Sequence, residues 1–261
     1  MGRLFSYDAY KIRKAKYWWI CLLVGVALTF IQLIATKMLT ETLGSMSQNG
    51  VKIEAMAKTF TLTDAVPKLM TSINILIAIV VSLFVGSDFA NGTIKNVASK
   101  GLGRGHIITA KFIWSALLSV AGLVIMAGTG FGLCLVMLDH GQMNAEFWQL
   151  TARAFGLAAL QSVAYSSIFA FGATLLASGG TAIAFNIALT IIVPPLALLL
   201  QVAVIKSDNF NVFNLLPAGL EKLNLANNAS KELWIYVGAM LAYIIISYIA
   251  SVMILKKRDI K

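Results

Sequence analysis

The run AIAFNIALTIIVPPLALLLQVAVI, residues 182–205, holds no charged side chain, and its polar side chains are Asn186, Thr190 and Gln201. A helix needs about 20 such residues to cross a hydrocarbon core of ~30 Å, so this stretch decides the fold class as membrane-spanning α-helix. Pro194-Pro195 lies inside it. Two residues without a backbone N–H predict a bend or break there.

Further apolar runs lie on either side, at about 17–35, 70–85, 107–138, 154–176 and 234–255. The run at 107–138 is long enough to tilt or project beyond the bilayer. The expectation is an all-α polytopic membrane protein, a single transmembrane domain over 1–261 with six transmembrane helices. Composition agrees: 59% of the residues are hydrophobic and 12% charged, where soluble domains average about a quarter charged. Cys21 and Cys134 sit inside apolar runs and read as small hydrophobes. The basic flank before residue 17 has the look of a signal peptide, but the following apolar run is too long and lacks a clean cleavage site. An uncleaved first helix is expected.

The charge pattern sets orientation. With both termini, the loops at 86–106 and 178–180 and Lys111 at the start of the third run on the cytosolic side, 13 of the 21 Lys and Arg fall inside, against three of the 11 acids: Asp8, Asp88 and Asp259. The whole net charge of +10 then lies on one side, a positive-inside pattern. The basic excess reads as topology and not as nucleic-acid binding. Tyr17, Trp18 and Trp19, then Phe147 and Trp148, then Trp234 and Tyr236 mark span ends, where aromatic rings favour the interface.

Several chemistries lack their residues. No Asp, Glu, Lys or Arg lies well inside a span, which argues against an ion-coupled transporter. His106 and His140 fall on opposite sides with no Cys, His or Asp cluster near them, which argues against a metal site. No Gly-x-Ser-x-Gly elbow, paired-carboxylate motif or P-loop occurs. The chain is therefore expected to be no enzyme and to hold no cofactor.

The segment from Gly86 to Gly101, GSDFANGTIKNVASKG, is the most distinctive. Thr93 is placed to cap a short helix over residues 94–99, with Gly101 at its exit. Ile94 and Val97 would share a face at i, i+3 spacing, ringed by Lys95, Asn96 and Ser99. Two readings follow: a small apolar face docking into a soluble partner, or a solvated loop whose lysines only enforce orientation.

The pattern Asp88-Phe89-x-x-Gly92-Thr93-Ile94-Lys95-Asn96, then Ser99-x-Gly101, Arg104 and Lys111-Phe112, resembles permease subunits of the ABC-2 type transporter family. The similarity is to the branch holding bacitracin-export and lantibiotic-immunity permeases. The tail from Leu255 to Lys261, LKKRDIK, also resembles that branch. The resemblance implies an ABC-2 type exporter fold in a bacterial plasma membrane, with both termini cytosolic. It implies a coupling helix seated on a separate ATPase subunit, through Thr93, Ile94, Lys95, Asn96 and Val97, with Asp88 and Arg104 in the same motif. ATP and Mg would belong to that partner. Residues 4–16 would form an amphipathic elbow helix, with Phe5, Ala9 and Ile12 on one face and Lys11 and Lys14 turned toward headgroups.

Uncharged polar residues inside the spans, among them Gln161 and Tyr165, should face other helices or a translocation path. These two cluster and are the candidate cargo contacts. After residue 205 an unusually apolar loop carries Phe210, Phe213, Leu216 and Pro217. It either folds over the bundle or forms the re-entrant outer gate that the resemblance implies. The functional expectation is an export permease for a hydrophobic or amphipathic cargo, with an antimicrobial peptide as first choice. Its partners would be a cytosolic ATPase, a second permease chain and the membrane, with no nucleic acid. The competing expectation is a non-transporting membrane scaffold or sensor subunit that recruits a cytosolic partner.

Overall fold

A computed structural model describes residues 2–48, 73–94, 97, 103–137, 144–205, 211–223 and 231–257. Regular structure among them is helical throughout. The long elements are α1 (Gly2–Lys14), α2 (Lys16–Gln48), α3 (Asn74–Ala90), α4 (Arg104–Met137), α5 (Ala145–Leu176), α6 (Gly179–Leu200) and α7 (Lys231–Lys257). A π-helical turn, Gln201–Ile205, extends α6, and two 3-10 helices follow, Val212–Leu215 and Pro217–Lys222.

Five helices, α2 and α4 to α7, are long and apolar enough to cross a membrane, an architecture compatible with a multi-pass membrane protein. α3 covers the run expected at 70–85 from Asn74 onward; Ile73 precedes it as the N-cap, and residues 70–72 lie outside the described set. Its 17 residues make about 26 Å of helix.

The central helix is α5, which packs against α3, α4, α6 and α7. Over its most apolar window 56% of the residues are buried, against 11% for α6 and 17% for α7. The outward faces of α2, α6 and α7 are instead apolar and open, with Leu23, Leu199 and Ile246 exposed. Such a surface suits hydrocarbon and not water. α3 is nearly enclosed: Ala78, Val81, Phe84 and Val85 are fully buried.

The helix ends depart from the sequence-based spans in three ways. α2 runs on to Gln48 through what reads as the start of a polar loop. α5 begins at Ala145, nine residues ahead of the apolar run, because Phe147 is buried and Trp148 lies 6.0 Å from Phe131 of α4. The expected break at Pro194-Pro195 does not occur. α6 stays α-helical through both prolines to Leu200 and loosens only in the π turn beyond them. Within hydrocarbon, neighbouring helices and local adjustments such as a π turn tolerate prolines that would break a helix in water.

The turn expected at Ser178-Gly179-Gly180 lies one residue earlier. Ala177 takes the left-handed conformation (φ 51°) and Ser178 is extended, while both glycines belong to α6. Gly86 is needed for proximity to Gly179. A Cβ on Gly86 of α3 would meet the Gly179 Cα at 2.7 Å and its N at 2.8 Å. Helix association in hydrocarbon depends on such small-residue approaches, since water gives no drive there. Gly86→Val should therefore separate α3 from α6, costing about 1–3 kcal/mol. A clear fall in the melting temperature of the detergent-solubilised protein is expected; an unchanged value would mean that the crossing relaxes freely.

Candidate functional site

One end of the bundle gathers α1, the last turn of α3, the first turns of α4 and the last turn of α7. Leu4, Asp8 and Lys11 of α1 are spaced i, i+4, i+7 and so share a face. That face is turned inward: Leu4 and Asp8 are buried, and Leu4 packs on Ile107 and Ala110 of α4.

Four charges meet there. Lys111 Nζ donates to Asp8 Oδ1 at 2.5 Å and also pairs with Asp88 Oδ2. Lys11 Nζ donates to Asp88 Oδ1 at 2.6 Å, to Ser87 Oγ at 2.9 Å and to the Phe84 carbonyl at 3.1 Å. Both ammonium groups lie over the Phe84 ring, Lys111 at 4.5 Å and Lys11 at 5.3 Å from its centroid. Two lysines and two aspartates make the cluster neutral. The attraction works in a poorly hydrated site, where each ion needs its partner.

The expected outward orientation of Lys11, toward headgroups, is thereby corrected. Asp88, the Ser87 hydroxyl and the Phe84 carbonyl, near the C-terminal and negative end of α3, draw the ammonium inward. Lys14 does stay exposed, stacked over Tyr10 at 4.6 Å. Burial pushes the Asp8 carboxyl above its ordinary 3.8, outweighing the pull of Lys111. Its Oδ2 has no hydrogen-bond partner among the described residues. Burial likewise pushes the Lys11 ammonium below its ordinary 10.5, against the attraction of Asp88.

The motif residues divide around this cluster. Asp88 is an internal ion and not a surface group. α3 ends at Ala90, and Gly92 takes a left-handed φ of 65°. Thr93 and Ile94 are already helical, so Thr93 does not stand before the helix as a cap. Ile94 is buried against Ile108 of α4 and Leu255 of α7. Val97, half-buried, packs on the cluster of Leu4, Ile107 and Ala110. The apolar face expected to meet a partner is thus turned at least partly onto the chain itself. Arg104 donates to the carbonyls of Leu255 (3.2 Å) and Lys256 (2.8 Å), capping the negative end of α7. Lys95 and Asn96 lie outside the described residues.

Toward the other end, the candidate cargo and gate residues come together. Gln161 of α5 donates its amide to the Pro217 carbonyl at 2.8 Å, and Tyr236 of α7 donates its hydroxyl to the same oxygen at 3.0 Å. Gln201 accepts from the Val212 N–H at 2.9 Å. The two 3-10 helices are therefore held by buried side chains of the bundle, which satisfies backbone that would otherwise be costly in an apolar setting. Phe213 is buried, and its carbonyl lies so close to Gly219 that no Cβ fits there. Phe210 lies outside the described residues. Tyr165 stacks on Phe169 at 5.4 Å and, with Leu216 and Pro217, borders a cavity of about 300 Å³.

Sequence reasoning missed the pairing of Asp8, Lys11 and Lys111 with Asp88. The available signals were the i, i+4, i+7 stripe and a lone lysine one turn inside an apolar run. It also missed that Asn186, fully buried, donates to Ser82 Oγ at 2.8 Å and to the Phe169 carbonyl at 3.1 Å, tying α6 to α3 and α5. Among the described residues no three His, Cys, Asp or Glu side chains converge as a metal site would need. No protein-family description and no curated protein matches the chain. What fold and sites define together is the class: a helical bundle compatible with multi-pass membrane insertion, with a buried ion cluster at one end and anchored 3-10 helices toward the other.

Lys111→Met removes the cation shared by two carboxylates and should cost about 3–5 kcal/mol, seen as a large drop in melting temperature. Adding Asp8→Leu should restore most of it, because no unpaired buried ion then remains beside α4. No restoration would mean that the two residues act independently. A second outcome concerns pH. The folded-state pKa of Asp8 lies above its unfolded value, so its contribution to stability grows as pH falls through the folded pKa and stops growing below 3.8. Asp8→Asn should remove that rise from the melting temperature measured between neutral and acid pH.

Proposed function

We propose that the chain is the membrane-spanning permease subunit of an ATP-driven exporter of the ABC-2 type. α2 to α7 are its six spans, α1 is the elbow helix along the cytosolic face, and both termini are cytosolic in a bacterial plasma membrane. Two such chains, identical or related, enclose a path, and separate ATPase subunits supply ATP and Mg. The cargo is hydrophobic or amphipathic, an antimicrobial peptide by analogy with the branch the motif resembles.

One observation carries the reading. The segment that resembles a coupling helix begins at Asp88, inside the ion cluster, and its next apolar residue, Ile94, rests on both α4 and α7. A push on residues 93–97 from a closing ATPase therefore reaches α1, α3, α4 and α7 through direct contacts. Packed helices and paired ions move as rigid bodies and do not deform gradually, which is what switching between two arrangements requires. The second support is the pair of 3-10 helices on Gln161 and Tyr236, a short-helix element suited to gating the far end of a path.

The test is recovery of partners with the tagged chain from its native membrane. Because Ile94 is internal, the informative change is Lys95→Ala with Asn96→Ala, and Lys256→Ala serves as control. A P-loop ATPase should co-purify with the native chain and the control, and be depleted about tenfold or more with the double variant. A normally folded native chain that brings down no ATPase would overturn the exporter reading in favour of a scaffold.

A further inference from the structure

We propose that the cavity between α5, α6, α7 and the second 3-10 helix is a binding site for an uncharged amphiphile, an apolar chain bearing one hydrogen-bonding group. The inference goes beyond the exporter reading and needs no ATPase, because the site belongs to this chain alone.

Size and lining define the ligand class. The volume of about 300 Å³ lies at the low end of pockets that hold small organic molecules. Tyr165, Pro194, Leu216 and Pro217 contribute rings and an aliphatic side chain to the wall, and no Asp, Glu, Lys, Arg or His lines it. A charged group entering there would lose its water without gaining a counter-ion, at a cost of several kcal/mol. The occupant is therefore neutral.

Two hydroxyls supply the polar end. Tyr243 and Ser247 stand one helical turn apart on α7, and both line the cavity. Neither has a hydrogen-bond partner among the described residues. Ser247 is 7% exposed, so bulk water does not substitute. Its neighbours behave differently: Ser162, Ser166, Ser167 and Ser251 each donate to a carbonyl three or four residues earlier in their own helix. Ser247 lines the cavity without such an intrahelical bond, which leaves its hydroxyl to a polar group of a guest. Gln161 and Tyr236, through Pro217, fix the opposite wall.

The test uses the full chain in phosphatidylcholine nanodiscs without an ATPase, photolabelled by a dodecanol analogue with a diazirine on its chain. Saturable labelling is expected in segments 189–194, 216–218 and 243–247, competed by plain dodecanol. Tyr243→Phe with Ser247→Ala should raise the half-saturating concentration about tenfold, as loss of one or two modest hydrogen bonds would. The same pair should leave a dodecane analogue unaffected. Leu189→Trp, which fills the cavity, should remove the saturable component; its elution on size exclusion checks folding. If that variant does not fold, the native chain still decides. Labelling that grows linearly, resists competition and spreads over outward residues such as Ile245, Ile246 and Ile249 overturns the site. An unchanged half-saturation in the hydroxyl variant overturns the anchoring. Competition by diacylglycerol as well as dodecanol identifies a membrane lipid as the source of the chemistry, and competition by dodecanol alone a free amphiphile.

Discussion

Four charges with little access to water hold one end of this bundle together. Asp8, Lys11, Asp88 and Lys111 come from three helices, and each ion is stable there only with an opposite charge beside it. Breaking one contact exposes an unpaired ion to a poorly solvating interior, a penalty larger than the net worth of the pair itself. The arrangement therefore specifies geometry more than it adds stability. It sets α1 across the bundle, brings the end of α3 beside the start of α4, and leaves Ile94 and Val97 packed against that junction. Arg104 extends the same logic to α7 by capping its last carbonyls.

The other end follows a different rule. It has no ion cluster among its described residues, and its irregular backbone is secured by neutral side chains. A single carbonyl, that of Pro217, accepts from two helices, and Gln201 meets the N–H of Val212. Neutral hydrogen bonds suit a region bordered by apolar surface, since they satisfy backbone without importing charge. The consequence is a cavity with a fixed wall on the 3-10 helix side and a wall on α7 that still carries open hydroxyls. One end thus resists deformation, while the other has room for a guest.

Much of this architecture is legible in the primary structure. Apolar runs bounded by lysines and aromatics locate the spans to within a few residues in α4 and α7, where length and hydropathy coincide. In α2 the apolar span, Lys16–Ala35, also agrees with the run at 17–35, while the helix itself continues into polar sequence, as α5 does at its start, because hydropathy reports where lipid begins and not where the backbone hydrogen-bond ladder ends. Pro194-Pro195 reads as a break by the rules for water, and α6 absorbs both. Of the candidate site, Gln161, Tyr165, Leu216 and Pro217 are findable as polar or apolar anomalies in their segments. The convergence of Tyr165, Leu216 and Pro217 on one cavity, and of Gln161 on the Pro217 carbonyl, is not findable, because α5 and the 3-10 helices are some fifty residues apart.

By itself the sequence determined the helical class and the approximate apolar spans, since each depends on local composition against a fixed bilayer thickness. Tertiary structure alone decided which way the charged stripe of α1 faces, that Asp88 and Ile94 are internal, and that Gly86 must lack a side chain where Gly179 approaches it. Those outcomes depend on which surfaces meet, and a lysine reads the same in sequence whether it ends in water or beneath a phenylalanine ring.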